Sequence, residues 1–140
     1  MTKLVLCDLP NTLYDSRHRT TDNTIFLTNI EEDELNQTAY RLIKDLQSLD
    51  YSIIFTHYCL TRLAYIIEDR LYEDFSSAKL YTNFAIESVY NNQTLKQHVI
   101  QQFANSHSYF DYVIDNDQSM STFYHKHNIY NIKVPLINLR

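Results

Sequence analysis

The stretch Lys3-Leu4-Val5-Leu6-Cys7-Asp8-Leu9-Pro10-Asn11-Thr12-Leu13 opens with an apolar run, ends that run on an acid and passes into a turn-forming sequence. An unbroken apolar run of this kind marks a strand buried on both faces of a parallel sheet, since a strand wet on one side alternates instead. Asp8 therefore falls at the carboxyl end of the first strand. The same pattern recurs downstream. Tyr51-Ser52-Ile53-Ile54-Phe55-Thr56 is a second run, ending in a hydroxyl; Tyr109 to Asp117 carries a third, in which Tyr112-Val113-Ile114 leads into Asp115-Asn116-Asp117; Ile129 to Val134 is a fourth. Helical periods lie between them. In Asp33 to Asp50, Leu35, Ala39, Leu42, Ile43, Leu46 and Leu49 recur at three- and four-residue spacing, with acids in the expected first turn. Leu60 to Leu71, Thr94 to Phe103 and a short segment around Met120 to His127 follow the same period. Strand and helix thus alternate, which predicts an α/β fold with a mainly parallel sheet, right-handed crossovers and helices on its faces. Ligands bind such sheets beyond the carboxyl ends of the strands, and Asp8, Thr56 and Asp115 collect there. The polar stretch Asp15 to Glu34 is the candidate loop or flap over that edge.

The chain has 140 residues, the length of one domain, and the reading is a single domain over 1–140. With 44% hydrophobic and 21% charged residues it is able to bury a core, which argues against disorder. A net charge of −5 with 12 basic residues argues against nonspecific coating of nucleic acid. The sequence contains neither an apolar run of membrane-spanning length nor a signal-type leader, so a cytoplasmic protein without membrane contact is expected. Cys7 and Cys59 sit in apolar contexts and read as buried thiols; His98, His107, His125 and His127 lack zinc-site spacing. The chain has no glycine, which removes every phosphate site built on a glycine-rich loop.

Asp8-Leu9-Pro10-Asn11-Thr12-Leu13 resembles the signature of the haloacid dehalogenase-like (HAD) phosphohydrolases, in which two aspartates flank one residue and a threonine follows. Further motifs of that superfamily follow in order: Thr56 ending a strand, Lys96 opening a helix, and Asp115 after a strand. The resemblance runs from about Lys3 to Val134 and is nearest to the phosphatase domain of phage polynucleotide kinases, where a pair such as His18-Arg19 lies in a similar place. It implies a Rossmann-like fold with no cap or a minimal one, a magnesium cofactor, and a phosphomonoester substrate, either a small nucleotide or a nucleic-acid end. A phage-encoded protein would work in the host cytoplasm. It also implies roles for single residues. Asp8 is the nucleophile that forms an aspartyl-phosphate, and Thr56 and Lys96 stabilise the phosphoryl group. Thr12, His18, Arg19 and His57 stand on the substrate side, and Asp8, Asp115 and Asp117 are the metal ligands, as suits a cation that takes oxygen donors.

The chain departs from this pattern at telling positions. Pro10 stands where the superfamily has the aspartate that protonates the leaving oxygen and then activates water. Proline transfers no proton, and general acid-base help is worth about 10²–10⁴-fold. His57 and His18 are the candidate stand-ins, although His57 also replaces a glycine beside the phosphate. Asn116 leaves one metal-supporting charge neutral. Two functions follow: a slow or altered phosphohydrolase, or an inactive pseudoenzyme that binds a host or viral protein.

Overall fold

The computed structural model describes residues 3–18, 27, 29–75, 81–82, 91–104 and 108–137. Its main sheet has five strands: β1 (Lys3–Asp8), β4 (Ser52–Thr56), β5 (Tyr81–Thr82), β6 (Tyr109–Ile114) and β7 (Tyr130–Ile132), in the spatial order β5-β4-β1-β6-β7. All four neighbouring pairs are parallel. The expected α/β architecture is therefore present, with β1 at its centre.

Side chains of β1 alternate between two cores, which is why its sequence is apolar without a break. Val5 and Cys7 face one cluster with Ala39, Ile43 and Leu46 of helix α1 (Gln37–Ser48) and Ile67 and Leu71 of helix α2 (Ala64–Asp74). Leu4 and Leu6 face the other, with Leu95, Val99 and Ile100 of helix α3 (Asn92–Ala104) and Tyr124 of helix α4 (Ser121–Lys126). Among the described residues no helix is long and apolar enough to cross a membrane. Cys7 and Cys59 are buried.

The helix expected from Asp33 begins later. Glu34–Leu35 form strand β3, antiparallel to β2 (Tyr14–Asp15), and the Asn36 side chain caps α1 by accepting from the amides of Thr38 and Ala39. Asn36 also donates to the carbonyls of Thr12 and Val134, at 3.0 and 2.9 Å, which fixes the cap in place. Asp33 and Glu34 consequently lie ahead of the helix. The β2–β3 ribbon is the only sheet besides the main one among the described residues.

A bulge in the β1–β6 pairing sets the position of the third acid. Leu4 pairs with Phe110 but Val5 pairs with Tyr112, so Asp111 is the extra residue, and its carboxylate accepts from the Tyr51 hydroxyl at 3.0 Å. Cys7 then pairs with Ile114, and Asp8 and Asp115 leave adjacent strands side by side. Left-handed backbone positions fall on Asn11, Leu27, Asn29, Asp50 and Asn128, with φ of 56–67°. Asn and Asp tolerate that region better than other side-chain-bearing residues.

Candidate active site

Asp8 ends β1, and Thr56 lies directly across from it at the end of β4. The Asp8 carboxylate is 2% exposed and has three side-chain neighbours. Thr12 donates to Oδ2 at 3.2 Å, Asn92 donates to Oδ1 at 3.0 Å, and the Lys96 ammonium lies 3.6 Å from Oδ1. Burial pushes the Asp8 pKa up from 3.8 to about 7, with Lys96 opposing and Asp115 adding to the rise.

Lys96 gathers the edge together. It is fully buried on α3, 2.8 Å from Asp115 Oδ2 and 3.7 Å from Asp117 Oδ2. Burial works against its charge, but the carboxylates of Asp8 and Asp115 outweigh that and hold its pKa above the ordinary lysine value. Asp115 is held from every side: Tyr124 donates to Oδ2 at 2.5 Å and the Asp117 amide donates to Oδ1 at 2.9 Å. Asp117 in turn caps the following turn through Ser119; despite the opposing effect of burial, Ser119 and Lys96 keep its pKa low. Three acids thus surround one ammonium.

Thr56 stands apart in this network. Its side chain is completely buried, yet among the described residues Oγ1 has no hydrogen-bond partner. A buried hydroxyl left unpaired costs about 1–3 kcal/mol.

A magnesium ion takes hard oxygen ligands and is often held by one or two carboxylates, with substrate phosphate and water completing the shell. Asp8 and Asp115 both touch one ammonium, so they lie within the reach of a single cation. Among the described residues no set of three or more His, Cys, Asp or Glu side chains is arranged to hold a metal. Asp8 and Asp115 are the two carboxylates that such an ion would use here, with the ligand's own oxygens needed to complete its shell.

The structure therefore joins Asp8, Thr12, Thr56, Lys96, Asp115 and Asp117 at one edge. It sends the expected histidines elsewhere. His57 Nδ1 bonds the Tyr58 carbonyl at 3.0 Å, and its ring lines a small cavity of about 10 Å³ with Leu9, Tyr14, Asp33 and Arg70. His18 Nε2 meets Asp33 Oδ1 at 2.6 Å. Both of these contacts are with groups other than Asp8, so the structure does not bring either ring together with it. Arg17 pairs with Asp15 at 2.7 Å, and Arg19 lies outside the described residues.

Asn116 is also more than a missing charge. Its amide donates to the carbonyls of Asn11 and Val134 at 2.9 and 2.8 Å, and its oxygen accepts from the Val134 amide at 2.8 Å. An aspartate there would lose two donors and face two carbonyl oxygens, so the neutral residue belongs to the architecture. Asn92 and Tyr124 escaped the sequence reading. Asn92 carried a usable signal, because it sits four residues before Lys96 and so on the same helix face.

The parallel sheet with acids at its carboxyl edge defines an α/β protein with a buried, acidic candidate site. No family profile and no curated protein matches the sequence. Solved structures that share the fold include the following two. One is a structure of a Pnkp1/Rnl/Hen1 complex, with a TM-score of 0.79 and 15% identity, over 99% of this chain and 48% of that one. The other is a structure of the Pnkp1/Rnl/Hen1 RNA repair complex, with a TM-score of 0.76 and 16% identity, over 99% of this chain and 44% of that one. This chain spans about half the length of the chains it matches.

Proposed function

We propose that the carboxyl edge binds the phosphate of a phosphomonoester, above all a terminal phosphate of a nucleic-acid end, together with magnesium, and that its turnover is slow. The observation that carries this reading is the orphaned Thr56 hydroxyl, buried across from Asp8. A phosphoryl oxygen beside it would supply the acceptor it lacks. The order of Asp8, Thr12, Thr56, Lys96 and Asp115 along the chain and their convergence at one edge support placing the protein among the HAD-like phosphohydrolases. The likeness to chains of an RNA repair complex supports a nucleic-acid end as the ligand.

Charge decides the need for a cation. With Asp8 ionised, Asp8, Asp115 and Asp117 face one Lys96 ammonium, so the edge is net negative and repels a phosphate dianion. Bound magnesium would cancel that excess charge and draw electron density from the phosphoryl oxygens. Within this frame Asp8 attacks, Lys96 offsets the charge that spreads over the transferring group, and Thr12 and Asn92 aim the attacking carboxylate. Pro10 supplies no proton, which limits the rate.

Calorimetry with inorganic phosphate, with and without magnesium, tests the reading. Binding is expected only with the metal and is weakened by Thr56→Val. Metal-independent binding, or binding indifferent to Thr56→Val, overturns it.

A further inference from the structure

We propose that Tyr124 sets which divalent cation the edge accepts: it confines Asp115 to a single-oxygen contact and so favours magnesium over calcium, an inference that rests on the metal-and-phosphate reading given above. It follows from counting the lone pairs of the Asp115 carboxylate. An ionised carboxylate offers about four acceptor positions, two on each oxygen. Both positions on Oδ2 are taken, by the Lys96 ammonium at 2.8 Å and the Tyr124 hydroxyl at 2.5 Å. On Oδ1 one is taken, by the Asp117 amide at 2.9 Å. Among the described residues a single position is therefore left, on Oδ1. Asp8 is less fully engaged, with Thr12 on Oδ2 at 3.2 Å, Asn92 on Oδ1 at 3.0 Å, and Lys96 standing off at 3.6 Å.

Of the two side chains on Oδ2, Tyr124 is the one that holds its place. Lys96 has two further carboxylates within 3.7 Å, those of Asp8 and Asp117, toward which it can lean as a cation arrives. Tyr124 is fully buried in the core that Leu95, Val99 and Met120 share, and Asp115 is fully buried opposite it. Turning the hydroxyl away from Asp115 would strand a polar group out of reach of water. The two cations respond differently to a carboxylate held in this way. Calcium gathers roughly six to eight oxygens at about 2.3–2.6 Å, often by taking both oxygens of one carboxylate; magnesium takes an octahedral shell at about 2.0–2.1 Å and completes it with water and phosphate. One open oxygen position suits magnesium and denies calcium its second contact. Tyr124 acts here through Asp115 alone, which makes it a positioning residue.

Calorimetry of the full chain with magnesium chloride alone and with calcium chloride alone tests the proposal. The parent is expected to bind magnesium more tightly. Tyr124→Phe keeps the ring and opens one position on Oδ2, so the ratio of the two dissociation constants should move toward calcium by about tenfold, in line with one hydrogen bond to a charged group. A merely structural role would weaken both ions alike and leave the ratio where it was. Tyr124→Met, which also lacks the hydroxyl, gives the same reading if the phenylalanine variant does not fold. A parent that prefers calcium or binds neither ion, or a ratio unmoved by loss of the hydroxyl, overturns the proposal. If the ratio stays put while phosphate binds only with magnesium, Tyr124 is not the selector and the phosphate site stands. If the parent binds neither ion and takes up no phosphate with magnesium, both readings fail together.

Discussion

Two buried polar clusters flank the start of the chain, and they are finished to different degrees. Next to the β2–β3 ribbon, Asp33 accepts from Ser16 Oγ at 3.0 Å and meets His18 at 2.6 Å, while Arg70 donates to the carbonyls of Ile30 and Asp33 at 3.2 and 2.6 Å. Donors and acceptors there answer one another. At the carboxyl edge three acids share one ammonium, and the Thr56 hydroxyl has no partner among the described residues. Burial is similar in both places, since Asp8 and Asp33 are 2% and 5% exposed. The difference lies in completion. A cluster closed on itself holds the fold, whereas one left with surplus charge and an unpaired hydroxyl is completed by something that arrives.

The largest contrast between them is expected on removing the cation. Lys96→Met strands the buried acids and should cost about 3–5 kcal/mol in urea unfolding. Arg70→Met, which breaks bonds to carbonyls at a partly exposed site, should cost about 1–2 kcal/mol. Equal losses would erase the distinction.

Neutralising the acids should separate the clusters by sign. Asp8 keeps its proton up to about pH 7 in the folded chain but releases it near 3.8 once unfolded. Stability that is present below pH 3.8 is therefore lost as the pH climbs to about 7. Asp8→Asn removes this loss and should stabilise the protein by roughly 2–4 kcal/mol at pH 8, with no gain at pH 3. Asp33→Asn should destabilise at pH 8, because it weakens the bond to His18. Thermal melts at the two pH values check both, and a destabilising Asp8→Asn at pH 8 would remove the case for a strained carboxylate.

The smallest effect is also the sharpest. Thr56→Val exchanges an unpaired hydroxyl for a methyl of the same shape and should gain about 1 kcal/mol, while Ser16→Ala should lose about as much. Chemical denaturation of the two variants side by side reads the opposite signs. A loss in Thr56→Val would mean that its hydroxyl already has a partner in solution.

How much of this was legible in the sequence follows from what each pattern encodes. The strands at Lys3, Tyr51 and Tyr109 were readable because burial on both faces leaves an unbroken apolar run, and the acids and hydroxyl ending those runs had to share an edge. The start of α1 was not, because Leu35 packs on the core from a strand while fitting the helical period, and only the cap at Asn36 settles the matter. Strands β2, β3 and β5 have two residues each, too few to show any period. The histidines lie apart from Asp8 for a geometric reason. Neighbouring residues of extended chain point opposite ways, so a site at Thr56 turns His57 away from it. Tyr124 lay beyond reach altogether, since its meeting with Asp115 depends on how α4 folds back over β6.

The absence of glycine reaches into dynamics. Turns that other chains give to the most permissive residue fall here largely to Asn and Asp, at Asn11, Asn29, Asp50 and Asn128. Each gives up some comfort in the left-handed region, yet a glycine there would widen the unfolded ensemble by about 0.4–1 kcal/mol of entropy. The two effects nearly offset in free energy but not in motion. The loop after Asp8 joins a proline of fixed φ to Asn11 at φ 60°, and Asn11 is clasped by Ser16 and Asn116. It contains no glycine. A ligand reaching this edge meets a mould already set, and little conformational entropy is left for it to quench.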